Sequence, residues 1–284
     1  MAGRRLVPRR PLGGHGTAPA RIAASALRTR RGPDIIVPVF LPTPIPDAAA
    51  SPGATRGAAL ARAACAVCGR RLGAGLGRCR NPLCASASRW FDWNLAIAER
   101  RGPLGARLDA YKYRGASLWA ASFGRMLAGF LAERGLLEGF DLVLASPTFV
   151  GEGGRDRDHV GAILRAARDC LPEEHAHRLD VADPPAVVKT GPTPRLAGRA
   201  GPERRRIAEE LIRPLLRVPD PGRTRRRRLL VVDDVFTDGR TLDEVARALR
   251  LQGGARQVCG VSLLRQPWRG GASGDGRRAR PLPG

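Results

Sequence analysis

Lysine is almost missing from this chain. Of its 49 basic residues only Lys112 and Lys189 are lysine, and none follows Asp234. The second absence excludes one reading of the acids at Asp233 and Asp234, because a receiver-type acidic pocket needs a lysine downstream and a further strand-end aspartate. Long apolar runs are missing too. The stretch Asp34–Asp47, DIIVPVFLPTPIPD, is apolar but broken by four prolines, so it suits neither a membrane span nor the core of a secretory signal. Met1–Arg10 carries four arginines with no apolar core behind them. No targeting peptide is evident, and a cytoplasmic location without membrane insertion is expected.

What is present is arginine, glycine, proline and alanine. Residues 1–62 show no hydrophobic periodicity and read as a disordered arm, and residues 269–284 read as a disordered tail. The arm holds ten Arg and two Asp, the tail four Arg and one Asp; of the formal +23 this leaves +12 on the part expected to fold. A basic surface of that size attracts nucleic acid, single-stranded DNA included, and equally a polyanionic small molecule. Arginine-rich usage imposed by a GC-rich genome would give the same composition without either role.

The most informative segment is Leu229–Leu242, LLVVDDVFTDGRTL. Leu229–Val232 is a continuous β-favouring run, as in a strand buried on both faces. Leu242, Val245, Ala246 and Leu249 recur at i, i+3, i+4 and i+7, which predicts a helix from about Thr241 to about Gln252, stopped by Gly253 and Gly254. Thr241 and Glu244 have the spacing of a capping box. A loop entering a helix N-terminus offers backbone amides and the positive end of the dipole to an anion, and Gly239 removes a Cβ from its path. Asp233 and Asp234 fall at the carboxyl end of the strand, where open α/β sheets bind ligands, and ionised acids there accept hydrogen bonds from paired sugar hydroxyls. A diol beside a phosphate describes a ribose 5-phosphate.

Cysteine spacing is the second strong signal. Cys65 and Cys68 are spaced C-x2-C, Cys79 and Cys84 C-x4-C, within a Gly- and Arg-rich segment. Four thiolates so placed can close a tetrahedral zinc site whose metal supplies the folding energy of a short module, residues 63–90. Two disulfides are the alternative, disfavoured in a reducing compartment. A shell closed by four thiolates leaves no open coordination position and therefore no catalytic role. Cys170 and Cys259 read as small buried residues.

The string Val231-Val232-Asp233-Asp234-Val235-Phe236-Thr237-Asp238-Gly239-Arg240-Thr241 resembles the phosphoribosyl pyrophosphate (PRPP) motif of the type I phosphoribosyltransferases. With a four-cysteine zinc knuckle ahead of it, the chain is similar to the ComF-like members of that family over about Cys65–Trp268. The resemblance implies that Asp233 and Asp234 hold the ribose hydroxyls and that Thr237, Asp238, Gly239, Arg240 and Thr241 form the 5′-phosphate loop. Asp238 departs from the pattern, which commonly has Thr or Ala there. A carboxylate about 4 Å from a phosphate is repelled by about 1 kcal/mol per charge pair in water. Ala110–Gly115, AYKYRG, looks like the Lys-Tyr-x-Gly element between knuckle and transferase. Asp141–Thr148, DLVLASPT, looks like the strand and turn that bind pyrophosphate, through Ser146, Pro147 and Thr148. Gly154–His159 stands where the family has an Arg-Gly-Phe-Asn element. Val187–Arg206 resembles a strand, mobile loop and helix start, with Lys189, Arg195 and Arg199 available to a pyrophosphate.

Strands near 142, 187, 229 and 258 alternate with helices near 117–134, 158–170, 203–216 and 241–252, and alternation implies a parallel sheet with helices on its faces. The expected fold is α/β, a parallel-sheet, Rossmann-like phosphoribosyltransferase domain over residues 91–268, preceded by the knuckle. The expected function is binding of PRPP or a nucleoside 5′-phosphate with Mg²⁺, with transfer of phosphoribose to an acceptor the sequence does not mark. No catalytic base is assigned. The alternative is a protein of this fold that senses nucleotide or serves DNA uptake without turnover. Neither a general base nor an oligomeric state is readable.

Overall fold

A computed structural model describes residues 64–72 and 79–267; the arm, residues 1–62, and the tail, residues 269–284, lie outside the described residues. Six strands are present there: β1 (Asn94–Glu99), β2 (Leu142–Ala145), β3 (Val188–Lys189), β4 (Leu216–Arg217), β5 (Arg228–Phe236) and β6 (Gln257–Arg265). Four of them form one parallel sheet in the order β1-β6-β5-β2. The strand predicted near 187 does not join it. Val188 and Lys189 instead pair antiparallel with Leu216 and Arg217 in a separate two-stranded ribbon. A two-residue apolar pair carries too little pattern to choose its partner.

β5 is central and buried from both sides. Leu230 and Val232 face one hydrophobic cluster, while Leu229 and Val231 face the other, following the two-residue period of a pleated strand. On the first face lie α1 (Gly102–Tyr113), α2 (Trp119–Glu133) and α3 (His159–Arg168), contributing Leu108, Phe123, Leu127, Leu131 and Ile163. The α2 and α3 backbones come close because Gly124 has no side chain; a Cβ there would lie 2.5 Å from that of Ala166.

The second face is covered by α4 (Gly201–Arg206), its π-helical continuation Ile207–Ile212, and α5 (Arg240–Leu251). Pro202 stands in the first turn of α4, where a missing N–H costs nothing. Leu242, Val245, Ala246 and Leu249 are all buried, as their spacing predicts. Burying such a leucine is worth about 2 kcal/mol. Cys65, Cys68 and Leu83 of the cysteine module join this same cluster, so the module is part of the core on the α5 side.

β1 has no counterpart in the sequence-based reading. Its residues, NLAIAE, are mostly not β-branched, and they are extended because the free edge of β6 accepts them from Asn94 to Glu99. No described helix is long and apolar enough to cross a membrane.

Candidate functional site

A cleft of about 740 Å³ opens at the carboxyl end of the sheet, lined by the ends of β5 and β3, the turn after β2, the start of α5 and the segment 192–199. β5 extends four residues past its last pair with β2, at Val232, so Asp233 and Asp234 lie inside the strand and not beyond it. Ser146 N–H donates to Val232 O at 2.7 Å and turns β2 away just there. The strand's extra length thereby exposes both acids to the cleft.

The two carboxylates have different surroundings. Asp234 Oδ2 lies 2.6 Å from Lys112 Nζ and accepts from His159 Nε2–H at 2.5 Å. An ionised carboxylate only accepts, so Nε2 carries the hydrogen, and His159 Nδ1 is left buried with no hydrogen-bond partner among the described residues. Burial alone would raise the Asp234 pKa, but Lys112 and His159 outweigh it and hold the acid ionised. Asp233 makes no ion pair among the described residues; its Oδ1 accepts from Asp234 N–H at 2.8 Å. Burial and then the negative Asp234 push its pKa up to about 7. Splitting the two acids apart in this way gives one permanent anion and one acid that titrates near neutrality. The sequence marks both acids but not their partners: Lys112 ends α1 and His159 begins α3.

The loop Thr237–Thr241 lines the cleft at the head of α5. The Thr241–Glu244 capping box does not form. Gly239 is the N-cap residue, with φ +89° and no side-chain cap, and Glu244 instead receives two hydrogen bonds from Arg213, each 2.8 Å. The fold itself also requires glycine at this position. A Cβ there would lie 2.9 Å from the Phe236 ring and 3.2 Å from that of Phe91, on a left-handed backbone. Asp238 is buried and turned to Arg204, whose Nε lies 3.0 Å from Oδ2. Its backbone carbonyl accepts from Asn81 Nδ2 at 3.0 Å.

The turn Ser146–Pro147–Thr148 also lines the cleft. The Ser146 amide is engaged by Val232, whereas the amides of Thr148 and Phe149 donate no hydrogen bond among the described residues. Lys189, Arg195 and Arg199 line the same cleft. Burial, with Arg155 close by, lowers the Lys189 pKa to about 8, and its ammonium donates to Thr193 Oγ1. Arg199 is committed to Glu203 at 3.0 Å on the surface. Arg195 and Arg155 both lie over the ring of Tyr113, at 4.7 and 5.2 Å, so a partly exposed aromatic gathers cations at the rim.

The four cysteine sulfurs of Cys65, Cys68, Cys79 and Cys84 all lie within 4.8 Å of one another and none is in a disulfide. Tetrahedral zinc with bonds of about 2.3 Å would place sulfurs about 3.8 Å apart; Cys68 and Cys79 are 3.8 Å apart. The group can therefore hold a structural metal such as zinc. Buried Arg265 donates to Cys68 O at 3.1 Å, and Asn94 N–H to Val67 O at 2.7 Å, anchoring the first knuckle to β6 and β1. Asn81 accepts from Leu83 N–H at 3.1 Å, capping the one-turn helix Pro82–Ala85 that carries Cys84. The same side chain donates to Asp238 O, and so a hydrogen bond links the cysteine module to the α5 loop.

No family model matches the chain. No curated protein matches it in sequence.

Proposed function

We propose that the cleft binds a phosphorylated ribose of the PRPP type and that the domain is a phosphoribosyltransferase of ComF-like kind. The observation carrying this is the placement of two acids of split character beside an amide-rich helix start in one cleft that Lys189, Arg195 and Arg155 also line. The diol of the sugar docks on Asp233 and Asp234, the 5′-phosphate on the Thr237–Thr241 loop, and the pyrophosphate between the Thr148 and Phe149 amides and Lys189, Arg195 and Arg155. Asp234 is fixed by Lys112 and His159 and keeps its charge, so its free oxygen orients a hydroxyl without a change of protonation.

In the transfer, a nucleophile of the acceptor bonds to C1 of the ribose while the C1–O bond to pyrophosphate breaks and its electron pair leaves with the pyrophosphate. Charge grows on the leaving group, and cations already held at the rim neutralise it. Mg²⁺, when bound, would supply positive charge against the departing pyrophosphate, and Asp233, the cleft aspartate with no ion pair among the described residues, would be the residue to hold it. Zinc at Cys65, Cys68, Cys79 and Cys84 stays structural. The experiment is to incubate the protein with Mg²⁺, PRPP and a panel of nucleobases and amines and to measure released pyrophosphate. Release dependent on one acceptor is expected; silence across the panel with PRPP bound supports the sensing alternative.

A further inference from the structure

The loop assigned to a phosphate carries a carboxylate of its own, and the way that carboxylate is held points to a residue no motif marks. Asp238 Oδ2 lies 3.0 Å from Arg204 Nε in α4, with the two side chains only 12% and 17% exposed. Its Oδ1 is 3.4 Å from the Arg240 amide, a long contact at the helix start. The Arg204 pair is close but not aligned as a hydrogen bond: Nε is buried without a hydrogen-bond partner, and no other N–H of this guanidinium has an acceptor among the described residues. Elsewhere the chain commits its arginines to carboxylates through aligned hydrogen bonds. Arg213 grips Glu244 with two prongs, Nε and Nη2, at 2.8 Å each, and Arg250 reaches both oxygens of Asp92 from Nη2 at 2.9 and 3.0 Å. Arg204 is drawn to its carboxylate by charge while its donors stay uncommitted, and it lines the cleft beside the Thr237–Thr241 loop.

Leaving the buried Nε unpaired is unfavourable, and a planar guanidinium can face one anion while bonding a second through its remaining N–H groups. We propose that Arg204 is a ligand of the sugar's 5-phosphate and that Asp238 is the positioning residue that holds it at the loop. The carboxylate that would repel a phosphate is thus masked by the same group that recruits the phosphate. This rests on the reading of the cleft as a sugar-phosphate site and adds a ligand that the PRPP motif does not include.

Two probes separate the 5-phosphate subsite from the pyrophosphate subsite: ribose 5-phosphate and inorganic pyrophosphate, each titrated calorimetrically into the full chain. Arg204→Gln, which keeps bulk, is expected to weaken ribose 5-phosphate about 10- to 100-fold, as loss of one or two charge-assisted bonds does. Pyrophosphate affinity should change less than about twofold, because Arg204 is not part of that subsite. Arg204→Lys keeps the charge opposite Asp238 and loses the fork, and should still bind ribose 5-phosphate about 3- to 10-fold more weakly; it also serves if the Gln variant melts early. Unchanged ribose 5-phosphate binding in both variants, with PRPP still bound by the unmodified protein, overturns the role of Arg204 alone. Equal losses of both probes would also overturn it. An unmodified protein that binds neither probe nor PRPP overturns the site assignment and this inference together.

Discussion

Asp233→Asn is expected to make the protein more stable at pH 8 and, on the proposed reading of the cleft, to abolish binding of a phosphorylated ribose. In the folded chain burial and the charge of Asp234 push the Asp233 acid from 3.8 up to about 7. A shift of roughly three units corresponds to at most about 4 kcal/mol. Water in the cleft screens part of this, which leaves an expected gain on the order of 1–2 kcal/mol. The neutral amide keeps the acceptor that Asp234 N–H uses, now 2.8 Å away. Because the folded pKa is raised, the favourable contribution of the protonated acid is complete below about pH 4 and is lost as the pH rises through 7. The variant should therefore melt with the unmodified protein near pH 4 and above it at pH 8, by about 2–8 °C for a domain of this size. Thermal melts followed by circular dichroism across that range test it. A variant melting at or below the unmodified protein at pH 8 would refute the claim that these neighbouring acids are held together against their own repulsion. Asp234→Asn should do the reverse, since it strands the buried Lys112 charge, a loss of about 3–5 kcal/mol.

Purified protein should hold about one zinc per chain by native mass spectrometry, and chelation should lower its melting temperature; a metal-free chain that melts unchanged removes the module from the account. Asn81→Ala, which cuts the link from that module to the Asp238 carbonyl, should destabilise by about 1–2 kcal/mol and weaken ribose 5-phosphate, with pyrophosphate binding unaffected. Pyrophosphate affinity should fall as the pH rises through about 8, where Lys189 loses its charge, and Lys189→Met should flatten that profile; a flat profile in the unmodified protein would place Lys189 outside the subsite.

Much of the architecture was legible because it is local. Leu242, Val245, Ala246 and Leu249 announce α5 through spacing alone, Leu229–Val232 announces β5 through composition, and the two cysteine pairs announce their convergence through short gaps. What stayed hidden depends on distant partners. His159 and Asp234 are 75 residues apart, and nothing near either one signals the hydrogen bond between them. Arg204 meets Asp238 only because α4 and α5 pack on the same face of the sheet. The Thr-x-x-Glu spacing misled for the same reason: Glu244 found Arg213 before it could reach back to its own helix start. β1 was invisible because Asn94–Glu99 is a strand by virtue of its neighbour β6, not of its own residues.

Calorimetric titration of PRPP with Mg²⁺ into the unmodified protein and into Asp233→Asn asks whether a phosphorylated ribose docks its hydroxyls on Asp233 and Asp234. Saturable binding in the first, lost in a variant that is folded and at least as stable at pH 8, is the predicted result. No binding to the unmodified protein, or equal binding to both, would contradict it.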